Sequence, residues 1–292
     1  GFSQTEIAKY GKQGLFIPLD DLIDKYAPNL KKLFTEHPEI KQALVAPDGK
    51  IYALPYVDDS LAYASLRLNI NKKWLDNLGL EVPQTTEEFY QVLKAFKEKD
   101  ANGNGDPNDE EGWYMPAGSL GWTLERQLLG SFGMGNGGLK AAENWIYKDA
   151  NGELQLVFND EKYREVWRYL NKLWSEGLLH KETFTGVEYA QWVADGAADK
   201  VGAFSWVGPN YIGDKIQDNY YGINALEGPN GDRVMNWLDH PARGISSFII
   251  TKNNKYPAET IKWVDYFYGE EGSMFGTFGI EGETYNMVDG KP

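Results

Sequence analysis

The sequence predicts an α/β protein built as two lobes. Segments with strand-like alternation and segments with helical periodicity succeed each other along the chain. The 292 residues suit roughly two domains at about 100–200 residues each. No long Pro/Ser-rich linker divides them, so short strand crossings rather than a tether would join the lobes.

Each element has a local reason. Residues 20–26 and 30–35 place apolar side chains at helical spacing after Phe16-Ile17-Pro18-Leu19. Residues 50–55 read as a strand after the turn Pro47-Asp48-Gly49, and 61–70 as a second, aromatic-rich strand. Residues 72–78 form a short helix closed by Gly79. Thr85 and Glu88 make a capping box that opens a helix through Lys97, with Phe89, Val92, Leu93 and Phe96 on one face. After the loop 100–112 come a helix over 122–129, a Gly-rich loop over 131–138 and a hairpin turning at Asn151-Gly152. In 160–176, Tyr163, Val166, Trp167, Leu170 and Trp174 define an amphipathic helix stopped by Gly177. A short helix over 189–194, strands over 201–205 and 244–251, and a helix over 257–268 complete the series.

Composition removes several classes. Without cysteine there is no disulfide framework, thiolate metal site or thiol nucleophile. A net charge of −14 argues against nucleic acid and against docking on an anionic membrane surface. No run of about 18 apolar residues spans a bilayer, and no signal peptide opens the chain. It starts at Gly1-Phe2-Ser3 and reads as a segment of a longer protein.

One motif is sharp. Residues 100–111 fit D-x-[DN]-x-[DN]-G-x5-E, a calcium-loop pattern. Ca²⁺ takes six to eight oxygens, and alternate residues of a curled loop point inward. That places Asp100, Asn102 and Asn104 on the ion, with Gly105 at the sharp turn. Asp106 offers its backbone carbonyl, Asn108 a side chain or bridging water, and Glu111 closes the ring, with Asp109 or Glu110 as substitutes. Residues 112–116 look extended, so the loop is EF-hand-like, its ion is structural and no second helix follows.

Catalytic patterns are missing. His37, His180 and His240 sit in polar connections, and no phosphate loop, nucleophile elbow or zinc-protease motif occurs. Asp58 and Asp59 are adjacent on an extended segment and point to opposite faces, so they do not straddle a bond as glycosidase carboxyls do. Aromatic residues are the second signal, with 10 Trp and 18 Tyr. Trp74, Trp145, Trp167, Trp174 and Trp263 follow core patterns. Trp122, Trp192, Trp206 and Trp237 lie at element ends or in loops. Indole faces stack on sugar C–H faces, while Asp58, Arg126, Asn210 and Arg243 suit sugar hydroxyls.

Three segments carry a resemblance: Ala8 to Asp20, Ala46 to Tyr56 and Asn71 to Leu80. So do Gly202-Ala203-Phe204-Ser205-Trp206, residues 221–226 and Gly279-Ile280-Glu281-Gly282. Through essentially its whole length the chain resembles the carbohydrate-binding extracellular solute-binding proteins of ABC importers, in the lipoprotein branch related to alginate-oligosaccharide binders. The resemblance implies a type-II periplasmic-binding-protein fold, two lobes around a ligand cleft, and an extracellular or periplasmic location through a lipid anchor. It places Tyr56, Asp58 and Asp59 on the cleft side of the first lobe, with Trp122, Arg126 and Trp206 facing them. It also implies a calcium loop after the same helix, and terminal segments that this chain lacks. The lobes would be 1–110 with 245–292, and 111–244. The function would be capture of an oligosaccharide with hinge closure by a monomer that delivers it to permease subunits. A glycan-acting hydrolase or lyase is the alternative, and a calcium-stabilised adhesion module a third reading.

Overall fold

The structure is a computed structural model. It describes residues 2–58, 67–115, 124–135, 145–149, 151–206, 208–209, 212–213, 216–234 and 242–292, with the Arg243 side chain left out. In chain order, α1 (Gln4–Lys12), α2 (Asp20–Tyr26), α3 (Pro28–Glu36) and α4 (Pro38–Leu44) precede β1 (Ala53–Val57). Next come β2 (Arg67–Asn71), α5 (Lys72–Leu78), α6 (Thr86–Glu98), β3 (Glu111–Trp113) and α7 (Leu124–Leu128). They are followed by β4 (Ile146–Lys148), β5 (Leu154–Leu156), α8 (Glu161–Ser175), α9 (Tyr189–Ala197), β6 (Val201–Trp206) and β7 (Tyr220–Ile223). The described chain closes with β8 (Ala242–Ile249), α10 (Pro257–Tyr266) and α11 (Glu270–Phe278).

The chain divides into two compact units, Gly1–Asp58 with Pro241–Pro292, and Asp59–His240. This corrects the first crossing expected near Gly112. Residues 67–110 belong to the second unit because β2 is an interior strand there. It pairs antiparallel with β6 on one side and β7 on the other, in a sheet ordered β3-β6-β2-β7. Trp74, Phe89 and Phe96 also share one apolar core with Trp113, Val166 and Leu170. No local sequence pattern reports such long-range pairing.

In the first unit, β1 and β8 form an antiparallel pair. Pro55 has no N–H to give to the ladder, and the register there jumps from Leu54 opposite Phe248 to Tyr56 opposite Arg243. Residues 244–247 absorb the jump. Gly244 takes φ +50°, and Ser247 Oγ donates to its carbonyl at 2.5 Å. The Pro55 carbonyl accepts instead from Tyr268 Oη at 2.6 Å. Leu19, Leu30, Ile40, Leu54, Ile250 and Ile261 fill the core beneath.

In the second unit the capping box at Thr85 and Glu88 forms as expected, with both reciprocal bonds made. Gly79 ends α5 at φ +66°, and β4 pairs with β5 across Asn151-Gly152. α8 buries Val166, Leu170 and Leu173. Trp167 and Trp174, expected in the core, lie on the flank of that stripe at 38% and 48% exposure. Trp263, in the first unit, is likewise 62% exposed. No helix among the described residues is long and apolar enough to cross a membrane.

Candidate functional site

In the second unit, three neighbourhoods contain the described residues singled out by the sequence. The first is the loop between α6 and β3. Gly103 and Gly105 take φ +77° and +94°, which lets the chain curl so tightly that side chains cap their own backbone. Asp100 Oδ1 accepts from the N–H groups of Gly103 and Asn104 at 2.9 and 3.0 Å, and Oδ2 from Gly105 at 2.9 Å. Asn102 Oδ1 accepts from Asn104 N at 2.9 Å, and Asn104 Oδ1 from Asp106 N at 2.7 Å. The amide nitrogens of Asn102 and Asn104 donate to Asp109, each at 3.1 Å at the closest.

The acids at the end of the loop divide by the strand register. Glu110 is 1% exposed. Its Oε1 accepts from Ala101 N at 2.9 Å, while Oε2 is buried without a hydrogen-bond partner. Burial raises its pKa, opposed by the backbone N–H groups around it. Glu111 is already on β3, where its N–H donates to Lys200 O at 2.8 Å. Burial raises the pKa of its carboxyl too, and the nearby charges of His180 and Lys97 oppose the rise. Asp106 and Asn108 are exposed and bonded to each other. Asp100, Asn102, Asn104, Asp109 and Glu110 hold the curl together through these bonds, while Glu111 lies on β3. Among the described residues no group of three or more His, Asp or Glu stands ready for a metal, so the amide oxygens of Asn102 and Asn104, which here accept from backbone N–H groups, would have to complete the donor set. A desolvated carboxylate with an orphaned oxygen is what a hard cation satisfies, and on that ground these residues fit calcium.

The second neighbourhood is the end of β6. Trp206 is half-buried and pairs in register with Arg67 on β2. Two rings flank its indole, Trp192 at 5.5 Å and Tyr189 at 6.2 Å between centroids. Trp192, expected at an element end, is instead fully buried within α9, and its Nε1 donates to Tyr114 O at 3.2 Å. Tyr189, on the first turn of α9, went unnoticed in the sequence; an exposed aromatic opening a helix was the available signal.

Arg126 builds the third. On α7 it is 8% exposed, and its guanidinium carbon lies 4.6 Å from the centre of the Trp145 ring, a cation–π geometry. Trp145 has φ +55°, rare for a bulky residue. The sequence marked Trp145 as core and gave no sign of that backbone.

In the first unit, Tyr56 is 58% exposed on β1 opposite Arg243, and Asp58 is half-buried at the strand's end. Asp59, Trp122, Asn210, Trp237 and the Arg243 side chain lie outside the described residues.

Residues 2–274 match the bacterial extracellular solute-binding protein family, and the chain belongs to it. It is 32% identical over 290 residues to the fructooligosaccharide ABC transporter substrate-binding protein FusA of Streptococcus pneumoniae serotype 4, covering 97% of this chain and 52% of that protein. A structure of FusA in complex with kestose superposes with a TM-score of 0.81 at 30% identity, over 97% of this chain and 57% of that one. An EF-hand mutant of FusA has also been solved, in complex with fructo-nystose. The alginate-binding protein AlgQ2, solved without calcium ion, gives a TM-score of 0.74 at 30% identity, over 99% and 58% of the two chains. Lipoprotein LipO of Bacillus subtilis is 28% identical over 263 residues, 83% of this chain and 48% of that protein. The chain spans about half the length of the curated relatives it matches. The family is described as extracellular and solute-binding, and FusA as a substrate-binding protein rather than a hydrolase or lyase.

Proposed function

We propose that this chain is the ligand-capturing part of an extracellular substrate-binding protein of an ABC importer, and that it takes an oligosaccharide without altering it. The observation that carries this reading is the likeness, over 97% of the chain, to a substrate-binding protein solved in complex with kestose. Trp206 offers a half-buried indole for a sugar face, and Arg126 brings a fixed charge for hydroxyls. In the proposal Trp122 and Asn210 act with them in the second unit, and Tyr56, Asp58, Asp59 and Arg243 in the first. Ligand held by both units would stabilise a closed arrangement through its differential affinity for that state. Permease subunits, a lipid anchor and a monomeric state complete the proposal.

Calcium in this reading is structural. Asp100, Asn102, Asn104, Asp109 and Glu110 would hold it, and Asp106, Asn108 and Glu111 would not. The ion would supply a positive centre that ties the end of α6 to the start of β3.

The test is titration with kestose and with a panel of neutral and acidic oligosaccharides, following tryptophan emission and recovering the sugar afterwards. A saturable change with intact sugar is expected. Trp206→Ala should weaken binding by roughly tenfold or more, as loss of a central aromatic contact does. Cleaved sugar, or wild-type affinity in the Trp206 variant, would overturn the assignment.

A further inference from the structure

The calcium loop carries five acids, Asp100, Asp106, Asp109, Glu110 and Glu111, and no base between residues 100 and 112. Its balancing charge comes from elsewhere in the sequence. Lys200 Nζ lies 3.4 Å from Asp109 Oδ2, on the carboxylate that also receives the amides of Asn102 and Asn104.

The backbone around Lys200 is held firmly. Its N–H donates to Asp195 O at 3.0 Å, and its carbonyl accepts from Glu111 N at 2.8 Å. Asp199 before it sits at φ +56°, a conformation held by its contacts. Its Oδ1 accepts from Asn71 Nδ2 at 3.0 Å and Trp74 Nε1 at 3.2 Å, and its Oδ2 from Lys73 Nζ at 2.8 Å. The Asp199 carbonyl accepts from Asn102 Nδ2 at 3.3 Å. The turn that launches β6 is thus fastened to the loop, and the ammonium is carried to Asp109 by a pinned backbone.

We propose that Lys200 is a built-in counter-cation of this loop, which competes with the divalent ion and sets its affinity. Without calcium the ammonium relieves the repulsion among the loop acids. With calcium it becomes a like charge near the site and claims the same carboxylate. This inference rests on the calcium reading above.

The experiment is calorimetric titration of the 292-residue chain with calcium chloride, for wild type, Lys200→Met and Lys200→Arg, at low and high salt. Lys200→Met should bind at least about threefold more tightly at low salt, the effect of removing one nearby unit charge even at the dielectric of water. Lys200→Arg keeps the charge and should stay within about twofold of wild type. The gain in Lys200→Met should shrink as salt screens the ammonium. Thermal melts separate this from a packing role: Lys200→Met should lower the melting temperature in chelator and raise it in calcium, relative to wild type. Equal or weaker calcium binding in Lys200→Met overturns the proposal while leaving the calcium site standing. Absence of any calcium uptake by wild type overturns the site, and Lys200 with it.

Discussion

Glu110 holds one carboxylate oxygen on the backbone N–H of Ala101 and the other against protein with nothing to accept from. An uncompensated polar atom of this kind costs on the order of 1–3 kcal/mol, and a bound cation would offset it. Glu110→Gln is therefore expected to weaken calcium binding by at least about tenfold, whereas Glu111→Gln, one residue on and already on β3, should change it less than about threefold. Calorimetric titration of both variants checks this, and the reverse order would return the closing role to Glu111. The motif itself was legible in the residues, because Asp, Asn and Gly at alternate positions dictate a curled loop. The choice among three consecutive acids was not, because it depends on where β3 starts its pairing with β6. The same holds for Trp145: its identity was plain, but not its positive φ or the guanidinium above its ring.

At the scale of elements, local chemistry served well wherever one helix or turn decided the matter. The Thr85 box is an instance. Thr85 Oγ1 accepts from Glu88 N at 3.0 Å, and Glu88 Oε2 accepts from Thr85 N at 3.2 Å. Thr85→Ala should cost about 1 kcal/mol, measured by denaturant unfolding as a lower midpoint with an unchanged slope. Periodicity fell short on α8. Its buried stripe is Val166, Leu170 and Leu173, and the large indoles of Trp167 and Trp174 border it. A pattern count weights a Trp at the margin as heavily as a Leu at the centre, although only neighbouring elements determine how wide a face is covered. β7 escaped notice for a related reason: four residues, Tyr220–Ile223, are too short to show alternation, and β2 makes them a strand.

For the whole molecule the two-unit architecture was legible from length and alternation, but the first boundary was not. The division has a spectroscopic consequence. Nine of the ten tryptophans fall within Asp59–His240, and Trp263 alone lies in the other unit. Emission therefore follows the second unit almost exclusively. Calcium at 100 times its Kd should stabilise that unit by about 2.7 kcal/mol, a rise of roughly 5–10 °C for a body of this size. The shift should be seen in full by tryptophan emission and be reversed by chelator. A calcium-independent melt would count against the structural ion.

The first unit is assembled from two stretches, with an uninterrupted body, Asp59–His240, inserted between them. On the ribosome this imposes an order. Synthesis at about 5–20 residues per second leaves β1 without β8 for on the order of ten seconds or more, while the inserted body emerges and folds. During that interval Leu19, Leu30, Ile40 and Leu54 have no α10 to cover them. Those apolar side chains wait uncovered by α10 until synthesis has passed Tyr266.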